Sequence, residues 1–230
     1  MCSSDLYEAV HAIQGWPDLQ RRLQADRRCF GFFHPGLPDE PLIFIEVALT
    51  RGMSGRIQPL LDPASPIADA AAADCATFYS ITNCQEGLRG IPFGSFLIKR
   101  VAEDLAVEFP RLKMFATLSP VPGLTSWLAK VASETTPATV TDQADLRLEE
   151  LCAYYLTQVK QGNEPADPVA RFHLRNGARL ERIHLQADPS ASGLKKSAGV
   201  MVNYLYRLAD LERNHELYTK EYKVVSSHHI

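Results

Sequence analysis

The sequence predicts a mixed α/β fold in which a central mixed sheet is flanked by helices. Residues 29–49 contain two strand-like stretches joined by a turn, residues 76–118 follow the order strand, loop, helix, strand, and residues 144–206 add further helices and strands. The chain shows no internal repeat, no low-complexity tract and no flexible linker. We therefore expect one domain over residues 1–230.

The first strand pair is indicated by two apolar stretches with a turn between them. Cys29 to His34 reads CFGFFH, and Leu42 to Leu49 reads LIFIEVAL, which is nearly apolar on both faces. The intervening Pro35 to Glu40 holds two prolines and a glycine, residue types that favour turns. This order predicts an antiparallel hairpin. Before it, Asp18 to Arg28 has apolar residues among many charges and predicts a short amphipathic helix.

The next stretch predicts a crossover unit, in which a helix connects two parallel strands. Ala76 to Thr82 is strand-like, and a glycine-containing loop follows over Asn83 to Phe93. Ser95 to Glu108 has apolar residues at helical spacing, and Pro110 ends that helix. Met114 to Leu118 is the returning strand. This order favours a phosphate-sized ligand at the beginning of the helix.

The second half of the sequence is more helical than the first. Its predicted elements are a helix over Ala144 to Val159, a helix over Pro168 to Leu174, a strand over Leu180 to Leu185 and a strand over Ser197 to Tyr206. Asp167 is a typical cap for the helix that Pro168 begins, and Asn176-Gly177 is a typical end. We expect a helical excursion from the domain near residues 126–166.

Composition excludes several classes of protein. The chain has 230 residues, of which 46% are hydrophobic and 22% charged, and its net charge is -3. A dedicated nucleic-acid binder usually has a basic excess, so we expect no nucleic-acid partner. The sequence has no run of about 18 apolar residues, so it predicts no membrane span. Its N-terminus lacks the pattern of a secretory signal.

The cysteines and histidines give little sign of cross-links or metal sites. The five cysteines form no CxxC pair, and an odd number does not complete a disulfide framework, so we expect reduced thiols and a cytoplasmic protein. A metal site needs clustered ligands, and His228-His229 is the close histidine pair. We expect no metal and no organic cofactor.

The loop before the predicted helix of the crossover has the composition of a phosphate cradle. Its candidate binding residues are Arg89, Gly90, Ile91, Pro92, Phe93, Gly94 and Ser95. Glycines let several backbone N–H groups point inward, and a helix N-terminus adds free N–H donors and partial positive charge. The loop lacks the GK[ST] of a Walker loop and the GxGxxG of dinucleotide sites. The sequence alone leaves an ordinary turn open as the alternative.

This loop resembles the acyl-CoA loop of the GNAT acetyltransferase superfamily, whose pattern is roughly [QR]-x-x-G-x-[GA] before a helix. The match keeps Gly90 and Gly94. Pro92 stands where many members have a second glycine, and proline cannot donate an N–H. The resemblance implies a GNAT-like (acyl-CoA N-acyltransferase) fold.

Over nearly its whole length the chain is similar to the catalytic part of malonyl-CoA decarboxylases. The resemblance is carried by EAVHAIQGWPDLQRRL from Glu8, EPLIFIEVALT from Glu40, FYSITNCQEGLRGIPFGSFLIKRV from Phe78, FATLSPVPGLTSWL from Phe115, DPVARFHLRNGARLERIHLQAD from Asp167 and SAGVMVNYLY from Ser197. It implies conversion of malonyl-CoA to acetyl-CoA and carbon dioxide in fatty acid metabolism, without an organic cofactor. Family members usually have a preceding helical domain used in oligomer contacts. The chain begins about where the catalytic part begins, so we expect a catalytic domain without those helices, and a homo-oligomer stays open.

The resemblance also places the family's active-site serine at Ser119 and its catalytic histidine at His173. Decarboxylation leaves an enolate, whose oxygen must be stabilised and whose carbon must be protonated. For the oxygen, backbone N–H groups near Ser80 to Asn83 or Leu118 to Ser119 are the predicted donors. His173 would bind the malonyl carboxylate, protonate the enolate, or both. From the residues alone, Ser119 also suits a turn serine before proline, and His173 a partly buried helix histidine.

Three functions remain as alternatives at this level. The first is the decarboxylase, and the second is a GNAT-type acyltransferase that moves an acyl group to an amine. The third is a non-catalytic acyl-CoA binding module. A Ser-His-acid hydrolase is disfavoured because the sequence has no GxSxG motif.

Overall fold

The computed structural model describes residues 10–85, 87, 94–134 and 144–230. The chain divides into two compact units, Met1–Leu118 and Ser119–Ile230. In the described part of the chain, no helix is both long enough and apolar enough to cross a membrane.

The first unit combines one long helix with four strands. Its elements are helix α1 (Trp16–Arg22), strand β1 (Arg27–Phe32), strand β2 (Ile43–Thr50), helix α2 (Gln58–Leu61), a short 3-10 turn (Ala70–Ala72), strand β3 (Cys75–Asn83), helix α3 (Gly94–Glu108) and strand β4 (Met114–Thr117). Helix α3 buries Ile98, Val101 and Leu105, whose spacing of three and four residues places them on one face.

The sheet of the first unit is mixed, as predicted. Strands β1 and β2 are antiparallel, and so are β2 and β3, with Ile43 opposite Asn83 and Thr50 opposite Cys75. Strand β4 runs parallel to β3, so α3 is the helix of the predicted crossover. The predicted hairpin and crossover are both confirmed, with element ends that move by one or two residues.

Helix α1 differs from the prediction in length and in the face that it buries. It ends at Arg22, and strand β1 already begins at Arg27. The side chains of Asp18, Arg21 and Arg22 are buried, whereas Leu23 is 65% exposed. Arg22 donates to Asp18 at 2.8 Å and to Glu46 of β2 at 2.9 Å. This charged face is buried because its arginines donate hydrogen bonds to buried carboxylates.

The second unit contains five helices and three strand pairings among its described residues. Its elements are strand β5 (Ser119–Pro120), helix α4 (Leu124–Glu134), helix α5 (Ala144–Thr157), strands β6 (Lys160–Gln161) and β7 (Glu164–Pro165), helix α6 (Pro168–Arg175), strand β8 (Arg179–His184), helix α7 (Ala191–Ser197), strand β9 (Met201–Leu205) and helix α8 (Leu211–Glu221). Strand β9 pairs antiparallel with both β5 and β8, while β6 pairs with β7.

The last predicted strand begins later than expected. Ser197 belongs to helix α7 and not to a strand, and β9 begins only at Met201. The helix is capped by Ser190, whose hydroxyl accepts from the Gly193 N–H, and it ends at Ala198 in the left-handed region. These local caps separate the apolar stretch into a helix end and a strand.

Among the described residues of the stretch 126–166 lie most of helix α4 and all of helix α5. Their interpretation as an excursion from a single domain over residues 1–230 stays a prediction. The predicted helix over Ala144 to Val159 is observed to end at Thr157.

Candidate active site

Ser119 and His173 lie against each other in the second unit, although 54 residues separate them in sequence. The Ser119 Oγ is 3.1 Å from the His173 Nε2, which is a hydrogen-bonding distance. The two residues are 7% and 3% exposed. The structure therefore brings together the two residues that the sequence proposes for the chemistry.

Strand β5 holds Ser119 by pairing with β9, where Ser119 stands opposite Val202. Two residues further on, the Val121 N–H donates to the Ser197 hydroxyl at 3.1 Å, which anchors the chain as it leaves the strand. Ser119 therefore lies at the beginning of a short strand that is held by hydrogen bonds, and not in an open turn.

Helix α6 carries His173 and is fixed at its N-terminus by Asp167. One Asp167 oxygen accepts from the Val169 and Ala170 N–H groups, both at 2.9 Å. The other accepts from the Gly123 N–H at 3.5 Å, so one carboxylate ties α6 to the segment that follows Ser119. Burial raises the pKa of Asp167, although these N–H donors oppose the shift. The predicted cap is confirmed.

Two tyrosines from the β9 region surround the His173 ring. The Tyr206 hydroxyl is 2.7 Å from Nδ1, so both ring nitrogens of His173 have a hydroxyl partner. The Tyr204 ring stacks on the imidazole with centroids 4.6 Å apart and an interplanar angle of 24°. Residues two apart in an extended chain point to the same side, which is why both tyrosines reach one histidine.

Burial makes His173 a neutral imidazole at physiological pH, because desolvation lowers its pKa to about 3. A neutral ring has one N–H and one lone pair. Either Tyr206 donates to Nδ1 while the Nε2–H donates to Ser119, or the two hydrogen bonds run in the opposite sense. In both arrangements a hydroxyl, the imidazole and a second hydroxyl form a chain along which a proton can pass without charging the ring.

Two residues of the predicted cradling loop, Gly94 and Ser95, belong to the described part of the chain. Arg89, Gly90, Ile91, Pro92 and Phe93 lie outside the described residues. Gly94 and Ser95 form the first two positions of α3, as a cradle at a helix N-terminus requires. Their role in binding stays a prediction.

One of the predicted oxyanion donors is already engaged. The Leu118 N–H donates to the Phe78 carbonyl at 2.9 Å, in continuation of the pairing between β3 and β4. An N–H used in this way does not face a substrate, so the prediction that Leu118 supplies a donor is wrong.

Sequence reasoning missed Tyr204 and Tyr206. The available signal was the alternation of two tyrosines in the apolar stretch VMVNYLY, which places both on one side of a strand. That spacing does not reveal that His173 lies opposite them, because the helix that carries it is about 30 residues away in sequence.

The chain also matches a known protein family. A sequence model described as the malonyl-CoA decarboxylase C-terminal domain matches residues 5–151 and 135–230. The chain belongs to this family. The match includes Ser119, His173 and the predicted cradling loop.

Curated relatives in the malonyl-CoA decarboxylase family extend well beyond the present chain. The mitochondrial malonyl-CoA decarboxylase of Anser anser anser is 36% identical over an alignment of 253 residues including gaps, which covers 92% of this chain and 50% of that protein. The mitochondrial enzyme of Rattus norvegicus is 36% identical over an alignment of 265 residues including gaps, which covers 97% of this chain and 54% of that protein. The chain therefore spans about half the length of these relatives.

Solved structures show the same family likeness and establish the fold class. The malonyl-CoA decarboxylase of Rhodopseudomonas palustris has a TM-score of 0.88 and 44% identity, covering 99% of this chain and 62% of that one. The enzyme of Agrobacterium vitis has a TM-score of 0.88 and 45% identity, and the match covers 100% of this chain and 63% of that one. The GNAT-like decarboxylase GphF matches at a TM-score of 0.52 and 20% identity, over 83% of each chain. The predicted GNAT-like α/β fold is confirmed.

Proposed function

We propose that this chain converts malonyl-CoA to acetyl-CoA and carbon dioxide, with Ser119 and His173 as the catalytic residues. The observation that carries the proposal is the buried 3.1 Å contact between the Ser119 Oγ and the His173 Nε2. Membership of the malonyl-CoA decarboxylase family supports the substrate and the reaction.

The first step breaks the bond between C2 of the malonyl group and its carboxylate carbon. Carbon dioxide leaves, and the electron pair remains on the thioester as an enolate. The Ser119 hydroxyl donates a hydrogen bond to the developing enolate oxygen, which stabilises the charge where it forms. The buried surroundings of the pair favour this step, because a localised carboxylate loses more hydration there than the dispersed charge of the transition state.

The second step gives a proton to C2 and completes acetyl-CoA. Ser119 delivers its hydroxyl proton, the Nε2–H of His173 replaces it, and the Tyr206 hydroxyl protonates Nδ1 as it takes up a proton from solvent, because burial raises the pKa of Tyr206 and disfavours its phenolate. The imidazole gains a proton as it loses one, so it stays neutral, which its burial requires. The reaction as a whole consumes one proton, which a hydronium ion of the solvent supplies through Tyr206. The relay leaves the ring proton on Nδ1, so it returns to Nε2 before the next turnover.

The substrate is held by its diphosphate in the loop from Arg89 to Ser95. Support comes from the order of elements, because β3 precedes the loop and α3 begins directly at Gly94. Free N–H groups and the dipole at the beginning of a 15-residue helix suit a pyrophosphate.

The proposal extends to the organisation of the protein. Residues 1–230 act as a single catalytic domain with a helical excursion at 126–166, in a homo-oligomer of the cytoplasm that takes part in fatty acid metabolism. Free thiols at Cys29, Cys75, Cys84 and Cys152 support a reducing compartment. The curated relatives are named as mitochondrial, so fractionation of cells that produce the protein tests the compartment.

The deciding experiment incubates the purified chain with malonyl-CoA in the absence of any acceptor. We expect equal amounts of carbon dioxide and acetyl-CoA, and a loss of turnover of about 100-fold or more in His173→Ala and in Ser119→Ala. His228→Ala, at an exposed position, is the matched control and keeps full turnover. Acyl transfer to an added amine without release of carbon dioxide would favour a GNAT-type acyltransferase, which has the same fold class. Tight CoA binding without turnover favours a binding module.

A further inference from the structure

A cavity of about 280 Å³ in the first unit is lined by three arginines. Arg21 is the next-to-last residue of α1 and Arg27 begins β1, and both are buried, with 3% and 4% of their surface exposed. Arg51 follows directly after β2 and is exposed. Arginine rarely lines a buried cavity unless its charge is matched, so the partners of these side chains decide what the cavity can hold.

One carboxylate serves both buried guanidinium groups. Arg21 donates to the two oxygens of Asp26 at 2.8 and 3.2 Å, and the Arg27 Nη1 is 3.1 Å from the same carboxylate. Arg27 otherwise donates to backbone carbonyls, including that of Leu60 at 2.9 Å. Two positive charges and one negative charge leave an uncompensated positive charge in a buried place.

Three further observations agree with a local positive excess. The Nε atoms of Arg21 and Arg27 are buried and have no hydrogen-bond partner among the described residues. Burial and the neighbouring charge of Arg21 lower the pKa of Arg27. Arg51 forms no ion pair with any described residue, and the remaining carboxylate of the lining, Asp69, is exposed and accepts from the Ala71 N–H.

We propose that this cavity binds a phosphate group, with Arg51 closing over it from the exposed side. The lining carries three arginines against the carboxylates of Asp26 and Asp69, a net charge of +1, which matches the single negative charge of dihydrogen phosphate or of a monoanionic phosphate ester. The planar donors of arginine suit phosphate oxygens. A cavity of about 280 Å³ is larger than phosphate needs and smaller than most sites for drug-sized molecules, which favours free phosphate or a small phosphate monoester.

The cavity lies at the opposite end of β3 from Asn83, the last residue of that strand. Its lining includes Thr50 and Ala73, at the end of the sheet where β2 ends and β3 begins. The predicted cradling loop follows the other end of β3, after Asn83. A nine-residue strand spans about 25 Å. Occupation of the cavity would stabilise β1, β2 and α1, which supply its lining residues Arg27, Thr50 and Arg21.

The test measures binding of inorganic phosphate and of glycerol phosphate by calorimetry and by thermal unfolding, against sodium chloride at equal ionic strength. We expect at least one phosphate compound to bind and to raise the unfolding temperature above the chloride control. Arg51→Ala weakens this binding about tenfold or more, because a charge-assisted hydrogen bond is lost. The stronger ligand of the two shows whether the group is free phosphate or part of an ester.

Arg56→Ala is the matched control, because Arg56 is exposed nearby in sequence and does not line the cavity. It keeps the affinity of the parent. Equal binding by Arg51→Ala and Arg56→Ala, or no difference between phosphate and chloride, overturns the proposal. Turnover of malonyl-CoA by Arg51→Ala is expected to be unchanged, so this test is independent of the proposed decarboxylase activity.

Discussion

The Tyr206 hydroxyl lies 2.7 Å from the Nδ1 of His173, on the opposite ring nitrogen from the one that meets Ser119. This contact gives the buried imidazole a partner at both ends. It also provides a path for a proton between the serine and the interior of the second unit. The tyrosine is therefore part of the proposed chemistry and not only of the packing.

The first prediction concerns Tyr206→Phe. It removes the hydroxyl and leaves a buried Nδ1 without its partner, which costs about 1–3 kcal/mol. We expect kcat for malonyl-CoA to fall about tenfold or more while KM changes little, since the substrate loop is untouched. Steady-state kinetics provide the measurement.

Tyr222→Phe is the matched control, because Tyr222 is 41% exposed at the end of α8 and loses the same hydroxyl. Its kcat should equal that of the parent chain. If Tyr206→Phe matches this control, the tyrosine has no part in proton transfer.

The second prediction concerns the pH dependence of stability. The folded pKa of His173 is about 3 because of burial, whereas its ordinary value is 6.5. Between these values the unfolded chain binds a proton that the folded chain does not, so stability rises with pH and is lost as pH falls through this window. The contribution is at most about 1.4 kcal/mol per pH unit.

His173→Gln removes the titrating group, so its free energy of unfolding should fall less steeply than that of the parent below pH 6.5. Urea unfolding at several pH values measures the difference. His228→Gln, at an exposed position, is expected to follow the parent curve. Parallel curves for the parent and His173→Gln would show that the imidazole is not held neutral by the fold.

The third prediction concerns the pH dependence of turnover. Because His173 stays neutral in the folded chain down to a pKa of about 3, kcat should show no inflection near pH 6.5 from this residue. A pH–rate profile between pH 5 and 8, recorded with saturating malonyl-CoA, checks this. An inflection near 6.5 that disappears in a variant of His173 contradicts it.

The fourth prediction compares two helix caps of the second unit. Asp167→Ala removes the cap of α6, and Ser190→Ala removes the cap of α7. Each should lower the free energy of unfolding by about 1–2 kcal/mol. Only Asp167→Ala should also reduce kcat, because α6 carries His173 and the same carboxylate holds the Gly123 N–H. Full turnover in Asp167→Ala would mean that the cap does not position the histidine.

The fifth prediction concerns the buried charges beneath α1. Arg22→Ala leaves the buried carboxylates of Asp18 and Glu46 without their guanidinium and should cost about 3–5 kcal/mol of stability. Arg100→Ala breaks an exposed pair with Asp104 and should cost less than about 1 kcal/mol. Urea unfolding compares them, and a similar cost for both would mean that the cluster adds little.

Much of the fold followed from local patterns that act over a few residues. Alternation and turn residues placed the hairpin of β1 and β2, and helical spacing between a glycine loop and Pro110 placed α3. Helix α6 was equally accessible, because its cap, its first proline and its final Asn176-Gly177 are neighbours in sequence. Hydrogen bonds and dihedral preferences of this kind need no distant partner.

Local sequence patterns and the family resemblance were sufficient for the series of elements and for the two residues that the resemblance selects. The other contacts depend on the folded arrangement. Tyr206 meets His173 across 33 residues and Arg22 meets Glu46 across 24, so the charged side chains of α1 are buried. Such contacts depend on which strand lies beside which helix. A charged or aromatic residue carries no local sign of the partner that folding brings to it.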